Sequence, residues 1–312
     1  MSALLPMARL TTAVTMDLAV VVPSVNGLPI VLECLAALRA DAVASNLRLE
    51  PIVVDRCGED VRGAIREQFP EAAVIAVDRR ETIPAMRAVA FRHASSPAVA
   101  VIEDHVIVPL GWARAMVDAL ASGADVVGGG VRNAAVDRLV DRAAFLCEYS
   151  HLLPPQVAGR VEALTGNNVS YRRAVLERYR STIDLGHWED ELHSVMHRDN
   201  VVLVCRPEIV VAHKMHYRVL DYLAQRFWYA RAYAGLRCGA MSPAARAVRA
   251  VGSVALPPLL LQRIVARVLR SNRRDQSLTA SLPLLVLFVC AWAAGEAVGY
   301  LRGGGDALSR VS

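Results

Sequence analysis

Short apolar runs alternate with helical patterns over the first 130 residues of the chain. Each run is four to six residues long, which suits a strand and is too short for a helix. The stretches between the runs carry apolar residues at helical spacing. This βαβα pattern predicts an α/β fold with a mostly parallel, doubly wound sheet. The predicted strands are Leu18–Pro23, Pro51–Asp55, Ala73–Val77, Ala98–Glu103 and Asp125–Gly128.

The fourth apolar run ends in side chains that can bind ligands. Glu103, Asp104 and His105 follow directly after Ile102. In open α/β sheets, ligands bind just beyond the carboxyl ends of the strands. Carboxylate oxygens with one imidazole nitrogen suit a divalent cation that holds a phosphate. The alternative is an ordinary polar turn after a buried strand.

The ends of the first two runs are also polar. The first run ends at Pro23, and Ser24 and Asn26 follow without a G-x-G-x-x-G sequence. A dinucleotide-binding Rossmann domain is therefore disfavoured. Asp55 ends the second run, where its carboxylate can accept hydrogen bonds from a base or a ribose, or can simply form a turn.

These segments and several later ones resemble, in type and in order, the motifs of family 2 glycosyltransferases, which have a GT-A fold. The likeness covers roughly residues 17–235. Arg56 stands where the family has a second Asp, Ala88 where it has Asn, and His105 where its Asp-x-Asp motif ends in Asp. The matching segments are 23–26, 54–60, 86–88, 103–105, 108–112, 165–173, 188–192 and 207–213.

The resemblance implies a nucleotide-diphosphate sugar as donor and Mn²⁺ or Mg²⁺ as cofactor. A bound metal ion would neutralise the leaving nucleoside diphosphate as a Lewis acid, and imidazole suits Mn²⁺ better than Mg²⁺. For His213 the alternative is an ordinary strand-end histidine. The implied donor-binding residues are Pro23, Ser24, Asp55, Arg87, Glu103 and Asp104, and the implied metal ligands are Asp104, His105 and His213.

The resemblance also implies inversion of configuration, with one carboxylate as general base for the acceptor hydroxyl. Two alignments of residues 188–192 leave the identity of the base open. Matching the family's Glu-Asp letters selects Asp190, whereas matching its Asp-x-Glu-Leu letters selects Glu189. The implied acceptor-binding residues are Asn167, Asn168 and Trp188.

The C-terminal part of the chain is both basic and apolar. From Lys214 to Arg274 there are twelve Lys or Arg residues and a single acid, Asp221. Residues 281–301 are long and apolar enough for a transmembrane helix, with a buried core helix as the alternative. The apolar run at residues 251–261 is too short to span a bilayer and predicts an interfacial or re-entrant segment. The positive-inside rule places the intervening arginines and the catalytic domain in the cytoplasm, for example at a bacterial inner membrane.

The predicted organisation is a disordered N-terminus at 1–16, a GT-A catalytic domain at 17–235 and a membrane-associated region at 236–312. The predicted function is inverting sugar transfer to a lipid-linked or saccharide acceptor at a membrane. A non-catalytic GT-A-like scaffold and a sugar nucleotidyltransferase are the alternatives. The basic stretch lacks a recognisable nucleic-acid-reading element, so no nucleic-acid partner is predicted. The six scattered cysteines predict neither a disulfide framework nor a zinc site, and no pattern indicates an oligomeric state.

Overall fold

A nine-stranded sheet forms the centre of the molecule. The computed structural model describes residues 16–271 and 277–311. The prediction of disorder at 1–16 falls outside this part of the chain, apart from Met16. The strands are β1 (Leu18–Ser24), β2 (Leu49–Asp55), β3 (Ala73–Ala76), β4 (Ala98–Val101), β5 (Val106–Ile107), β6 (Val126–Asn133), β7 (Gly159–Arg160), β8 (Val169–Arg172) and β9 (Leu203–His213).

The sheet is mixed. Its order is β3-β2-β1-β4-β8-β6-β9-β5, with β7 paired to β9. Strands β1 to β4 pair in parallel, whereas β8 runs antiparallel to both β4 and β6. The predicted α/β class is confirmed, but the sheet is less parallel than the sequence indicated. An apolar run predicts a buried strand and carries no signal for the direction in which that strand enters the sheet.

Helices cover both faces of the sheet. Successive side chains of β1 point to opposite faces, so Val20 and Val22 join one core while Ala19 and Val21 join the other. The helices are α1 (Ile30–Ser45), α2 (Glu59–Gln68), α3 (Ile83–His93), α4 (Trp112–Ala121), α5 (Leu139–Tyr149), α6 (Arg173–Arg178), α7 (Arg180–Ile183), α8 (Glu189–Arg198), α9 (Val219–Arg237), α10 (Pro243–Gly252), α11 (Leu256–Arg270) and α12 (Ser277–Arg302).

The C-terminal helices pack on the α/β domain. Phe288 of α12 is fully buried and belongs to the same core as Leu18 of β1. Two glycines bring α12 close to α9, because a Cβ atom on Gly295 or Gly299 would clash with backbone oxygens of α9. Packing is therefore continuous across residue 235, the predicted boundary between the catalytic domain and the membrane-associated region.

Replacing Gly295 with alanine is expected to separate α9 from α12. The added methyl group would clash with the carbonyl oxygen of Phe227. Overpacking of this kind lowers the free energy of unfolding by about 1–3 kcal/mol. Chemical denaturation of the full chain measures the loss. Gly252→Ala is the matched control, since its added methyl has open space and it is expected to leave stability unchanged or slightly raised. Equal effects of the two substitutions would show that the helices are not in close contact.

Two segments of the described chain are long and apolar enough to cross a membrane, Pro243–Arg270 and Leu278–Arg302. The second contains the predicted transmembrane segment at 281–301, and one face of it packs against the catalytic domain. The first contains the predicted interfacial segment at 251–261 within a longer helical stretch that combines α10 and α11. Its apolar residues Val248, Val251 and Val254 are more than two-thirds exposed.

Candidate active site

Asp104 fixes the loop that follows β1. One carboxylate oxygen, Oδ2, accepts hydrogen bonds from the backbone N–H groups of Val25 and Asn26, both at 2.8 Å. The other, Oδ1, accepts one from Nδ2 of Asn26 at 2.7 Å. The side chain is fully buried. Asp104 can ligate a metal ion, as predicted, only if some of these bonds break, so the geometry favours a positioning role.

Glu103, His105 and His213 form a compact cluster beside Asp104. Nε2 of His105 lies 3.2 Å from Oε2 of Glu103, and its Nδ1 lies 3.2 Å from Oδ1 of Asp104. His213 belongs to this cluster because β9 pairs antiparallel with β5, and this pairing places His213 opposite Val106. The two imidazole rings meet edge to face with centroids 4.5 Å apart.

The charges in this cluster are set by burial and by the neighbouring groups. Burial alone favours neutral imidazole, but hydrogen bonding to Asp104 and Glu103 outweighs it and raises the pKa of His105 to about 10. Burial opposes the charge on Glu103 too, yet His105 and then Arg87 lower the pKa of Glu103 to about 2. Burial, assisted by the charge on His105, holds the pKa of His213 well below its usual value. An ion pair therefore lies beside a neutral imidazole.

The fit of this cluster to a divalent metal rests on His213. Neither of its ring nitrogens has a hydrogen-bond partner among the described residues, although the side chain is only 2 % exposed. A buried imidazole without partners is unusual, and a bound ligand or an ordered water would satisfy its ring nitrogens. Within residues 16–271 and 277–311, no three His, Cys, Asp or Glu side chains are already arranged to hold a metal ion. Glu103, His105 and His213 nevertheless supply the donor types that Mn²⁺ accepts, and a metal ion would take the place of the ring proton that His105 now carries.

Arg87 joins this cluster to the second group of predicted site residues. Its guanidinium group is 3 % exposed, forms an ion pair with Glu189 and lies 3.6 Å from Oε1 of Glu103. Gly166 makes room for this pair, since a Cβ atom there would lie 2.5 Å from the Glu189 carboxylate and 2.7 Å from Arg87. The carboxylate of Glu189 is thus committed to a buried cation.

Asp190 stands free at the start of α8. Its side chain is exposed, and its carboxylate makes no hydrogen bond or ion pair with any residue in the described part of the chain. It lines the large cleft, a solvent-open space of about 1170 Å³ that Glu103, Trp188 and Glu189 also line. The structure therefore brings the acids at the end of β4 and the segment 188–191 to one cleft. Of the two candidate bases, Asp190 is the one with free oxygens.

The end of β2 is more enclosed than the sequence suggests. Ser24 donates a hydrogen bond of 2.9 Å to Asp55, whose carboxylate also accepts one from Arg62 at 3.0 Å. Asp55 is fully buried and holds the start of α2. Pro23 lines the small cavity, a space of about 570 Å³ that also contains Glu103, His105 and Trp188. Pro23 therefore faces the cavity directly, whereas Ser24 and Asp55 shape the loop behind it.

The two predicted acceptor-side asparagines have different surroundings. Asn168 is fully buried, accepts a hydrogen bond from the indole of Trp112 at 3.0 Å and donates to the carbonyl oxygens of Gly130 and Ile209. These bonds hold β6 against β9, and they leave the Asn168 side chain little capacity to bind an acceptor. Asn167 lines the large cleft, and its Nδ2 has no hydrogen-bond partner among the described residues.

Several cleft residues were not predicted. Glu148 and Tyr149 end α5, and Tyr149 donates a hydrogen bond of 3.4 Å to Glu103. Burial raises the pKa of Glu148, which lies 3.7 Å from Arg226 of α9. Trp292 of α12 also lines the large cleft. The aromatic and arginine-rich composition of α9 was the main signal for these residues, and the apolar pattern of α12 gave no signal for Trp292.

Arg56, which replaces the family's second Asp, holds the C-terminal segment in place. Its guanidinium group donates to the carbonyl oxygen of Val311 at 2.8 Å and to that of Glu81 at 2.8 Å. Val311 lines the small cavity. The departure from the family pattern thus has a structural use, because it brings the last described residue against the donor side of the site.

A family model described as glycosyl transferase family 2 matches residues 19–180, which is more than half of the chain. The chain belongs to this family. The clustered carboxylates and imidazoles therefore belong to a family 2 glycosyltransferase, as the sequence motifs predicted. No curated protein matches the chain.

Solved structures support the same fold. The mannosyltransferase PcManGT from Pyrobaculum calidifontis, in complex with GDP-Man and Mn²⁺, matches with a TM-score of 0.52 and 20 % identity over 90 % of this chain and 87 % of that one. S. aureus TarS 1–349 in complex with UDP-GlcNAc matches with a TM-score of 0.51 and 16 % identity over 91 % of both chains. At this identity the likeness shows the GT-A fold of the family 2 chain and nothing finer.

Proposed function

We propose that this family 2 glycosyltransferase inverts configuration, depends on a divalent metal and transfers a sugar from a nucleotide-diphosphate donor to an acceptor at a membrane surface. The observation that carries the proposal is the shared cleft. Glu103, beside two imidazoles, and Asp190, with a free carboxylate, line the same space. Donor activation and acceptor deprotonation would then take place across a single opening.

The donor side of the site would bind the diphosphate. Glu103, His105 and His213 would hold Mn²⁺ or Mg²⁺, which supplies Lewis-acid neutralisation of the leaving diphosphate. Asp104 keeps the loop after β1 in place, and Arg87 adds a buried positive charge. The PcManGT complex contains both GDP-Man and Mn²⁺, which supports this choice of donor and cofactor.

The acceptor side would perform the proton transfer. Asp190 takes the proton of the acceptor hydroxyl as its oxygen attacks the anomeric carbon of the donor sugar. The bond from that carbon to the diphosphate breaks on the opposite face, and the nucleoside diphosphate leaves with the bonding electrons. A single displacement of this kind inverts the configuration. Glu189 keeps Arg87 paired and is not assigned the role of base.

The C-terminal helices would hold the enzyme at a membrane. The exposed valines of α10 lie on the same helical stretch as Arg249, Arg263 and Arg270. An apolar surface with arginines beside it suits the interface of an anionic bilayer. The arginines favour the cytoplasmic side, as the sequence predicted. The length and composition of α12 allow it to enter the bilayer while one face stays on the catalytic domain.

Cleavage of a nucleotide sugar by the purified full chain tests the proposal. We expect at least one of a panel of UDP-, GDP- and TDP-sugars to be cleaved with Mn²⁺. Chelation of the metal is expected to reduce the rate about 100-fold or more, because the leaving group then keeps its full charge. Readdition of Mn²⁺ should restore the rate. Failure to bind or cleave any donor would favour the scaffold, and formation of nucleotide sugars from a nucleoside triphosphate and a sugar phosphate would favour the nucleotidyltransferase.

A further inference from the structure

Aromatic side chains from three separate segments form one wall of the large cleft. Trp188 precedes α8, Tyr229 and Tyr233 lie on α9, and Trp292 lies on α12. Ring centroids are 5.2 Å apart for Trp188 and Tyr229, 5.8 Å for Tyr229 and Trp292, and 5.9 Å for Tyr233 and Trp292. All four are half-buried and line the same space as Asp190. We call these four residues the aromatic wall.

The polar atoms of the aromatic wall suit a ligand rich in hydroxyl groups. The phenol groups of Tyr229 and Tyr233 make no hydrogen bond with any residue in the described part of the chain, so each can both donate and accept. The indole N–H of Trp292 is already used, since it donates to Glu296 at 2.7 Å. Apolar ring surface beside free hydroxyls is the combination that binds a sugar ring, which has both apolar C–H faces and hydroxyl edges.

The charges around the aromatic wall disfavour a phosphate as nucleophile. Asp190 has no cationic partner among the described residues, whereas both arginines that line the cleft are near carboxylates. Arg226 lies 3.7 Å from Glu148, and Arg87 is paired with Glu189. Burial and then Arg267 lower the pKa of the remaining basic group, His151, to about 4, so it is neutral at pH 7. A phosphate monoester, with a charge of about −1.5 to −2 at pH 7, would be repelled by Asp190.

We propose that the acceptor is a saccharide whose reacting ring is uncharged, that it attacks through a ring hydroxyl placed at Asp190, and that the aromatic wall is its binding site. The nucleophile is therefore not a lipid phosphate. Trp292 makes the C-terminal helix part of acceptor recognition as well as of membrane association. This inference rests on the proposed function and adds the chemical class of the acceptor to it.

Transfer by the full chain to defined acceptors tests the inference. The donor is the nucleotide sugar cleaved in the screen above. The acceptors are alkyl glycosides in vesicles that end in glucose, mannose, galactose or N-acetylglucosamine, the same saccharides without the alkyl chain, and a polyprenyl phosphate in vesicles. Mass spectrometry detects the new bond. We expect transfer to at least one glycoside and none above background to the phosphate, and the comparison with unalkylated saccharides shows whether the acceptor is lipid-linked or soluble.

Variants of the aromatic wall separate acceptor binding from donor chemistry. Trp292→Phe and Tyr233→Phe are expected to raise the KM for the saccharide about 5-fold or more, because removal of one good contact costs this much. Cleavage of the donor without acceptor is expected to stay within about 2-fold, since both residues line the large cleft and neither lines the small cavity. Trp228→Phe is the matched control, because Trp228 lies on α9 against Arg310 rather than in the cleft. It is expected to leave both the KM for the saccharide and the rate of donor cleavage unchanged.

Specific outcomes would overturn the inference. Transfer to the polyprenyl phosphate, or no transfer to any glycoside while the donor is still cleaved, would show that the nucleophile is not a neutral sugar. An unchanged KM in both Trp292→Phe and Tyr233→Phe would show that the wall does not bind the acceptor. If no donor is cleaved at all, the proposed function itself has failed, which is a different result.

Discussion

Asp190→Asn is expected to reduce sugar transfer by about 10²- to 10⁴-fold, which is the usual contribution of a general base. The substitution keeps the size of the side chain and removes its ability to accept the proton of the acceptor hydroxyl. The carboxylate makes no hydrogen bond or ion pair with a described residue, so the fold should be unaffected. Steady-state transfer and the affinity for nucleoside diphosphate measure the effect, and we expect only kcat to fall.

Two neighbouring carboxylates serve as comparisons for Asp190. Glu191→Gln is the matched control, because Glu191 lies on the same helical turn and, among the described residues, forms an ion pair only with His187 at 2.9 Å. It is expected to retain most of the activity. Glu189→Gln is expected to weaken the buried ion pair with Arg87, which lowers stability as well as activity. If Glu189→Gln abolishes transfer in a stably folded protein and Asp190→Asn does not, Glu189 is the base.

His213→Leu and His105→Ala are each expected to weaken Mn²⁺ binding by at least about 10-fold, since even a change beside a ligand costs 10- to 100-fold. Leucine at position 213 keeps most of the buried volume and removes both ring nitrogens, which have no described partner. Electron paramagnetic resonance of Mn²⁺, recorded with a bound nucleoside diphosphate, gives the affinity independently of activity. The rate of donor cleavage is expected to fall in parallel.

The control for the histidine variants is His197→Ala, which removes an exposed imidazole from α8. It is expected to bind Mn²⁺ as the unmodified chain does. Unchanged Mn²⁺ affinity in both His213→Leu and His105→Ala would refute the assignment of the metal site. A loss in His105→Ala alone would leave His213 as an ordinary strand-end histidine, which was the alternative from the sequence.

The donor side of the site was largely predictable because its residues lie next to regular patterns. Glu103 and His105 follow an apolar run, and the carboxyl ends of parallel strands meet at one edge of a sheet. His213 was implied as a metal ligand only by the family motif, because its contact with His105 depends on the antiparallel pairing of β5 with β9. Residue order along the chain does not contain that register.

The roles of the individual side chains were less predictable, because they depend on which way each one points. Asp104 and His105 are adjacent in sequence, yet Asp104 turns back to the loop after β1 while His105 faces His213. Asn167 and Asn168 differ in the same way, because Asn167 faces the cleft and Asn168 points into the core. Both pairs lie in turns, where the local backbone sets the direction of each side chain, and a motif does not say which side is the cleft.

The sequence by itself determined the α/β class, the strand ends that carry the acids and imidazoles, and the family, because these follow from local apolar patterns and short motifs. Only the tertiary structure decided that α12, apolar enough for a bilayer, packs against α9 and contributes Trp292 to the active-site cleft. The physical reason is that hydrophobicity fixes how strongly a segment avoids water and not what covers it. The close contact of Gly295 and Gly299 with α9 determines what covers α12. The residues in contact are about 70 positions apart in the chain.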